Sequence, residues 1–125
     1  MDNVKIEKIA KFAHDVNKLF CEFDNDNSQL DWENLTENQK ESTIKGVNFI
    51  FTNPETTPEE IHKNWKLQKI NDGWVFGEVK DNEKKTHPCI RGYDLLTMHD
   101  KFKDDLFLLS VLSGWITTVK CETNE

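Results

Sequence analysis

The chain has 125 residues, a net charge of −7 and 36% hydrophobic residues. This length is typical of one domain, and the negative charge argues against broad binding to nucleic acids or anionic membranes. No run approaches the roughly 20 apolar residues of a membrane span, and the N-terminus is charged throughout, so we expect neither a membrane anchor nor a secretory signal.

The three cysteines, Cys21, Cys89 and Cys121, form an odd and widely spaced set. A disulfide framework favours an even number, and a zinc site favours closely spaced pairs. We therefore expect reduced thiols, no metal site and a cytoplasmic location.

The first predicted element is an amphipathic helix over residues 4–23, in which apolar residues recur at three- and four-residue steps. His14 and Asn17 follow a second face of this helix. The polar segment that comes next carries Trp32, which we expect to enter the core.

Two more helices are predicted from their start signals. The second begins at Thr36, where Gln39 completes a capping box, and it ends before Pro54. The third begins after Thr57, which is an N-cap followed directly by proline, and Gly73 supplies its left-handed end.

A small hairpin and a last helix complete the predicted fold. Residues 74–76 form a short β run, and residues 86–90 form a return strand that Pro88 restricts to an edge or a very short pairing. The last helix runs from near Thr97 to about Val119. Four helices around a two-stranded hairpin make an α+β domain that is mainly α.

Residues 61–91 form what we call the basic island, with seven Lys or Arg against four acids and a net charge of +3, so that the remainder carries −10. Composition leaves open whether the island is a solvated hairpin or a site for a small anion. No recognised catalytic motif is present, although catalytic groups can meet in space alone. His62 and His87 could meet, but no third metal ligand is indicated, and we expect no catalytic residue, no metal and no cofactor.

The island reads IHKNWKLQKINDGWVFGEVKDNEKKTHPCI from Ile61 to Ile90. This segment resembles the RyR domain, the repeat named after ryanodine receptors and also found as single units in bacterial and phage proteins. The pattern of that family is IHxxWxxxKxxxGWxYGxxxDxxxKxHPxL, followed by a helix with Lys-Asp near its start, which Lys103-Asp104 match. Phe76 replaces the usual Tyr, and Arg91-Gly92 replaces an apolar-Pro pair.

The resemblance is closest to the small phage and bacterial members, and it covers roughly residues 9–110. Further matching positions are His14, Asn17, Cys21, Gln39, Ser42, Gly46-Val47, Asn53-Pro54 and Leu106-Phe107. It implies one domain over 1–125, with a helical pair at 4–55, a RyR-repeat-like unit at 57–119 and a loose tail at 120–125.

The resemblance also implies a function. Receptor repeats occur in tandem and can hold an adenine nucleotide between repeats, and free-standing units have been proposed to sense or sequester nucleotide-derived signals in phage–host conflict. We therefore expect non-enzymatic binding of a small, phosphorylated, adenine-containing signal, linear or cyclic, in the host cytoplasm if a phage encodes the protein. The alternatives are a protein-interaction module without a small ligand and a hydrolase of nucleotide signals.

A nucleotide needs an aromatic plate for its base and cations or N–H donors for its phosphates. The expected ligand-binding residues are His14, Asn17, Gln39, Ser42, His62, Trp65, Lys69, Trp74, Lys84, Lys85 and His87. The alternative for each group is a purely structural role. Trp65 and Trp74 would then pack in the core, His87 would make a structural hydrogen bond, and the polar side chains of the first two helices would bond to one another. Because the sequence carries one repeat, the nucleotide cleft needs either a second copy or the first two helices as its other wall. We expect the second copy, and thus a homodimer with Trp65 near the ligand and near the interface.

Overall fold

The computed structural model describes residues 2–123, with side chains as far as residue 117. The elements of this part of the chain are α1 (Asn3–Phe23), α2 (Glu37–Thr52), α3 (Pro58–Asn71), β1 (Val75–Phe76), β2 (Thr86–His87) and α4 (Met98–Thr123), with single-turn 3-10 helices at Trp32–Asn34 and Tyr93–Leu95. The predicted α+β, mainly α class is confirmed.

The predicted helix starts form because side chains satisfy the first backbone N–H groups. Both halves of the capping box are made: the Thr36 hydroxyl accepts from the Gln39 N–H at 3.2 Å, and the Gln39 side chain accepts from the Thr36 N–H at 2.9 Å. Thr57 caps α3 by accepting from the Glu60 N–H at 3.3 Å. Gly73 follows α3 with a φ of 92°, the left-handed conformation that glycine adopts without strain.

The two strands pair in parallel, which corrects the expected hairpin. The register joins Val75 to Thr86 and Phe76 to His87. The antiparallel part of this region lies inside the connection, where Asp81 and Thr86 exchange two backbone hydrogen bonds of 3.0 and 3.1 Å. The tight turn therefore falls within residues 81–86, and β2 leaves it in the same direction as β1.

One compact unit combines the chain up to Glu55 with the chain from Leu106 onwards. Its fully buried side chains include Val47, Ile50 and Val111. Trp32 enters this core as predicted, with 4% of its surface exposed. Cys21 is also buried and is not in a disulfide.

The other compact unit spans Thr56–Asp105 and contains α3, both strands and the start of α4. Its core is formed by Ile61, His62, Ile90 and Leu96. Residues 106–119, which the sequence assigned to the repeat-like unit, group with α1 and α2. The helix α4 continues to Thr123, past the expected end near Val119 and into the loose tail expected at 120–125. Residues 124–125 and the Cys121 side chain lie outside what the structure describes.

None of the helices in the described part of the chain combines the length and the apolar character needed to cross a membrane.

Candidate functional site

Four of the predicted site residues form what we call the aromatic cluster: His62, Trp65, Trp74 and His87. The Trp65 ring lies 5.7 Å from the His62 ring and 5.0 Å from the His87 ring, and the Trp74 ring lies 6.4 Å from His87. His62 is buried, and the other three are half-buried. The cluster therefore presents two partly accessible indoles, those of Trp65 and Trp74, each next to the His87 imidazole.

Local structure explains how these side chains meet. His62 and Trp65 are three residues apart on α3, so they share a helix face. The left-handed Gly73 ends α3 and delivers Trp74 directly to β1. Because the register brings His87 opposite Phe76, and Trp74 is two residues before Phe76, the Trp74 and His87 side chains fall on one face of the strand pair.

Both cluster histidines are neutral hydrogen-bonding groups. Burial lowers the pKa of His62, and its Nε2 donates to the Arg91 carbonyl at 2.8 Å. Burial and then the charges of Lys80, Lys103 and Lys69 lower the pKa of His87 to about 4. Since His87 Nδ1 accepts from the Cys89 N–H at 3.0 Å, its proton resides on Nε2, which is thus available as a donor.

Lys69 is the cation of the site. Its Nζ lies 4.9 Å from the centre of the Trp74 ring, within cation–π range. Burial, followed by the charge of Lys80, lowers its pKa, and Asp72 only partly opposes this. No carboxylate of the described residues lies within ion-pair distance of Lys69. A half-buried ammonium is compensated here by an aromatic face alone.

Lys84 and Lys85, also predicted, lie exposed on the turn of the connection. The Lys85 ammonium donates to the Asp72 carbonyl at 2.8 Å, so it satisfies the C-terminal end of α3. Among the described residues, the Lys84 side chain has no hydrogen bond or ion pair. The structure does not bring either ammonium into contact with the aromatic cluster.

The remaining predicted residues belong to the first unit. His14 is buried, its Nε2 lies 2.6 Å from the Leu30 carbonyl, and its ring lies 5.9 Å from Trp32. The Gln39 side chain is used in the capping box. Asn17 and Ser42 are half-buried, and no hydrogen bond of their side chains is found within the described part of the chain. His14 and Gln39 thus have structural partners.

Sequence reasoning missed an acidic group beside the cluster. Burial, together with the charge of Asp105, raises the pKa of Asp104 to about 7, and its Oδ2 lies 3.9 Å from His62 Nδ1. Lys103 stands 3.4 Å from the Asp100 carboxylate. The Lys-Asp pair of the family pattern was the available signal, but it did not reveal which residues these side chains would face.

Cys89 is no nucleophile at neutral pH. Burial, reinforced by the charge of Asp100, raises the pKa of its thiol to about 12. The thiolate, which is the reactive form of cysteine, is therefore negligible. The chemistry that the site offers is recognition, through flat indoles, a neutral N–H donor and a partly desolvated cation.

The first unit also contains a cavity of about 360 Å³, which is distinct from the predicted site residues. It is lined by Ile6, Asn48, Ile50, Phe51, Pro54, Leu112 and Trp115.

A family model described as the RyR domain matches residues 49–114, slightly more than half of the 125 residues. The matched segment includes the whole aromatic cluster, Lys69 and the second compact unit.

Proposed function

The chain belongs to the RyR domain family, and we propose that it binds a small nucleotide-derived ligand without transforming it. The ligand class is an adenine-containing, phosphorylated signal, linear or cyclic. Binding serves to sequester or sense that signal in the cytoplasm, in the setting of phage–host conflict.

The observation that supports this proposal is the position of the Lys69 ammonium over the Trp74 ring, which neighbours His87 and, through His87, Trp65. A partly desolvated cation without a carboxylate partner is stabilised by an incoming anion. Indoles provide stacking surfaces for a base, and each stacked base contributes roughly 1–3 kcal/mol. The His87 Nε2–H adds a neutral donor at the same place.

A protein-interaction module is the second candidate, and one observation favours it. Phe12, Leu19 and Phe23 are 45%, 61% and 88% exposed on α1. Their spacing of seven and four residues places them on one side of the helix, as in helix–helix contacts. We call these three residues the α1 stripe.

Isothermal titration calorimetry with adenosine, adenosine monophosphate (AMP), adenosine diphosphate (ADP) and ADP-ribose tests the proposal. We expect saturable binding of the phosphorylated compounds, with affinity lowered about tenfold or more by Lys69→Gln. Lys63→Gln is the matched control, because Lys63 is an exposed lysine on the same helix.

The fate of the ligand separates the candidate functions. A binder returns the nucleotide intact and in full after heat release, as chromatography would show. A linear or dephosphorylated product would support a hydrolase instead. Absence of binding to every nucleotide, together with capture of a protein that depends on Leu19 and Phe23, would replace the proposal by the interaction module.

A further inference from the structure

Arg91 carries a positive charge that the described part of the protein does not neutralise. Its guanidinium carbon lies 5.6 Å from the centre of the Phe76 ring. Its Nε is buried without a hydrogen-bond partner, and no carboxylate of the described residues lies within ion-pair distance. A buried N–H donor left unsatisfied costs free energy that a suitable acceptor would recover.

The strand register places this cation beside the aromatic cluster. Trp74 directly precedes β1 and is two residues from Phe76, so in extended backbone the two side chains lie on the same side and about 7 Å apart along the chain. His87 is paired with Phe76 across the strands. Lys69 lies over Trp74 and Arg91 lies over Phe76, so two cations rest on two neighbouring rings.

The two cations differ in what they can bind. The Lys69 ammonium acts as a point charge, whereas the Nε–Nη edge of Arg91 can bind two oxygens of one phosphate at once. Phe76 is 47% exposed and Arg91 is half-buried, so the pair lies at the protein surface, and because Nε is buried the Arg91 side chain must rotate to present that edge to an oxyanion.

We infer that Arg91 forms a second anion subsite over Phe76, and that the site therefore selects ligands with at least two phosphate groups. One phosphate lies at Lys69 beside Trp74, and the other lies at Arg91. The inference rests on the proposed function for the adenine moiety, but the subsite itself requires only phosphate.

Calorimetric titration of the full chain with AMP, ADP and inorganic pyrophosphate tests the subsite. We expect ADP to bind at least tenfold more tightly than AMP. Arg91→Leu, which removes the guanidinium, should weaken the binding of ADP and pyrophosphate about tenfold to a hundredfold and should change AMP affinity less than threefold. Arg91→Lys should recover only part of the loss, because it restores the charge without the two-donor edge.

Lys63→Gln is the matched control, since it removes one exposed charge of the basic island and should leave all three affinities within threefold. Thermal melting of each variant without ligand confirms that the fold is intact. If Arg91→Leu disturbs folding, the test uses Arg91→Lys, which should still bind ADP and pyrophosphate more weakly than the parent protein does.

The outcomes separate the two proposals. If ADP and AMP bind and Arg91→Leu behaves as the parent protein, the subsite is overturned and the nucleotide function stands. If only pyrophosphate binds and its binding depends on Arg91, the subsite stands and the adenine ligand is overturned. If none of the three probes binds, the subsite is overturned, and the nucleotide function is overturned with it when ADP-ribose also fails to bind.

Discussion

Burial favours the neutral forms of both His87 and Asp104. The two pKa shifts nevertheless have opposite effects on how the stability of the fold depends on pH. The pKa of His87 is lowered from 6.5 to about 4, so the folded state gains stability as pH rises through this window. The pKa of Asp104 is raised from 3.8 to about 7, so the folded state loses stability as pH rises through that wider window. Between about pH 4 and 6.5 the two slopes largely cancel.

In the Asp104→Asn variant, the increase of stability with pH that His87 causes should no longer be offset by Asp104. The free energy of unfolding of Asp104→Asn should rise by roughly 2–3 kcal/mol between pH 4.5 and 6.5, whereas the parent protein changes less. His62, whose pKa is also lowered, acts in the same direction as His87. Urea unfolding at several pH values measures this, with His87→Gln expected to show the opposite slope. Parallel pH profiles for all three proteins would contradict these pKa assignments.

Trp65 is expected to stack on the base of the ligand. Trp65→Ala should lower nucleotide affinity by about tenfold to a hundredfold, because stacking contributes roughly 1–3 kcal/mol per base. Trp115→Ala is the matched control, since Trp115 is a partly exposed tryptophan of the first unit. Calorimetry on both variants would decide whether Trp65 binds ligand or only packs against His62 and His87. Equal affinities in the two variants would favour packing.

At the residue scale, sequence reasoning identified the side chains that are close along a helix. The spacing of His62, Trp65 and Lys69 predicts a shared face of α3, and the structure brings the first two into contact. The contact of Arg91 with Phe76 was not predictable, because it depends on how the chain returns after the turn. Lys84 and Lys85 were selected for charge alone, and charge does not specify which groups an exposed lysine reaches.

At the element scale, the helix boundaries were predictable because capping uses residues that are adjacent in the sequence. The direction of β2 was not predictable, since the alternation of apolar residues is the same in parallel and antiparallel strand pairs. The direction of β2 depends on the turn at residues 81–86 and on the close approach of Gly77 to Thr86.

Gly77 should be essential to the strand pair. A Cβ atom at this position would lie 2.6 Å from Thr86 Cβ, which is closer than packing allows. Gly77→Ala should therefore destabilise the protein by about 1–3 kcal/mol and displace His87 from the aromatic cluster. Gly92→Ala is the control, because a Cβ there would meet no atom within 4 Å. Thermal melts that coincide for the two variants would show that the connection adapts to the added methyl group.

At the scale of the whole molecule, the mainly α class followed from the count and spacing of predicted helices. The grouping of residues 106–119 with α1 and α2 could not be predicted, because a long continuous helix gives no sequence signal of where one compact unit ends. Gly46 marks one contact within the first unit, since a Cβ there would lie 2.9 Å from the Phe107 ring. Such tertiary approaches carry no local pattern.

Assembly is the remaining prediction at this scale. Since the HxxWxxxK…GW…HP pattern occurs once in the chain, a cleft between two repeats requires a second copy. A twofold axis would bring the two half-buried Trp65 side chains together around the ligand. We expect sedimentation at micromolar concentration to show a species near twice 14.7 kDa.

The variants that abolish this species identify its interface. If Trp65 lies at the twofold axis, Trp65→Ala should shift the equilibrium to monomer, and ligand should strengthen the dimer of the parent protein, because it binds both copies. If the α1 stripe pairs instead, Leu19→Lys should dissociate the dimer without changing nucleotide affinity, since a charge in an apolar helix contact is poorly tolerated. A monomer that still binds nucleotide tightly would rule out a shared cleft, because one copy of the aromatic cluster would then be sufficient.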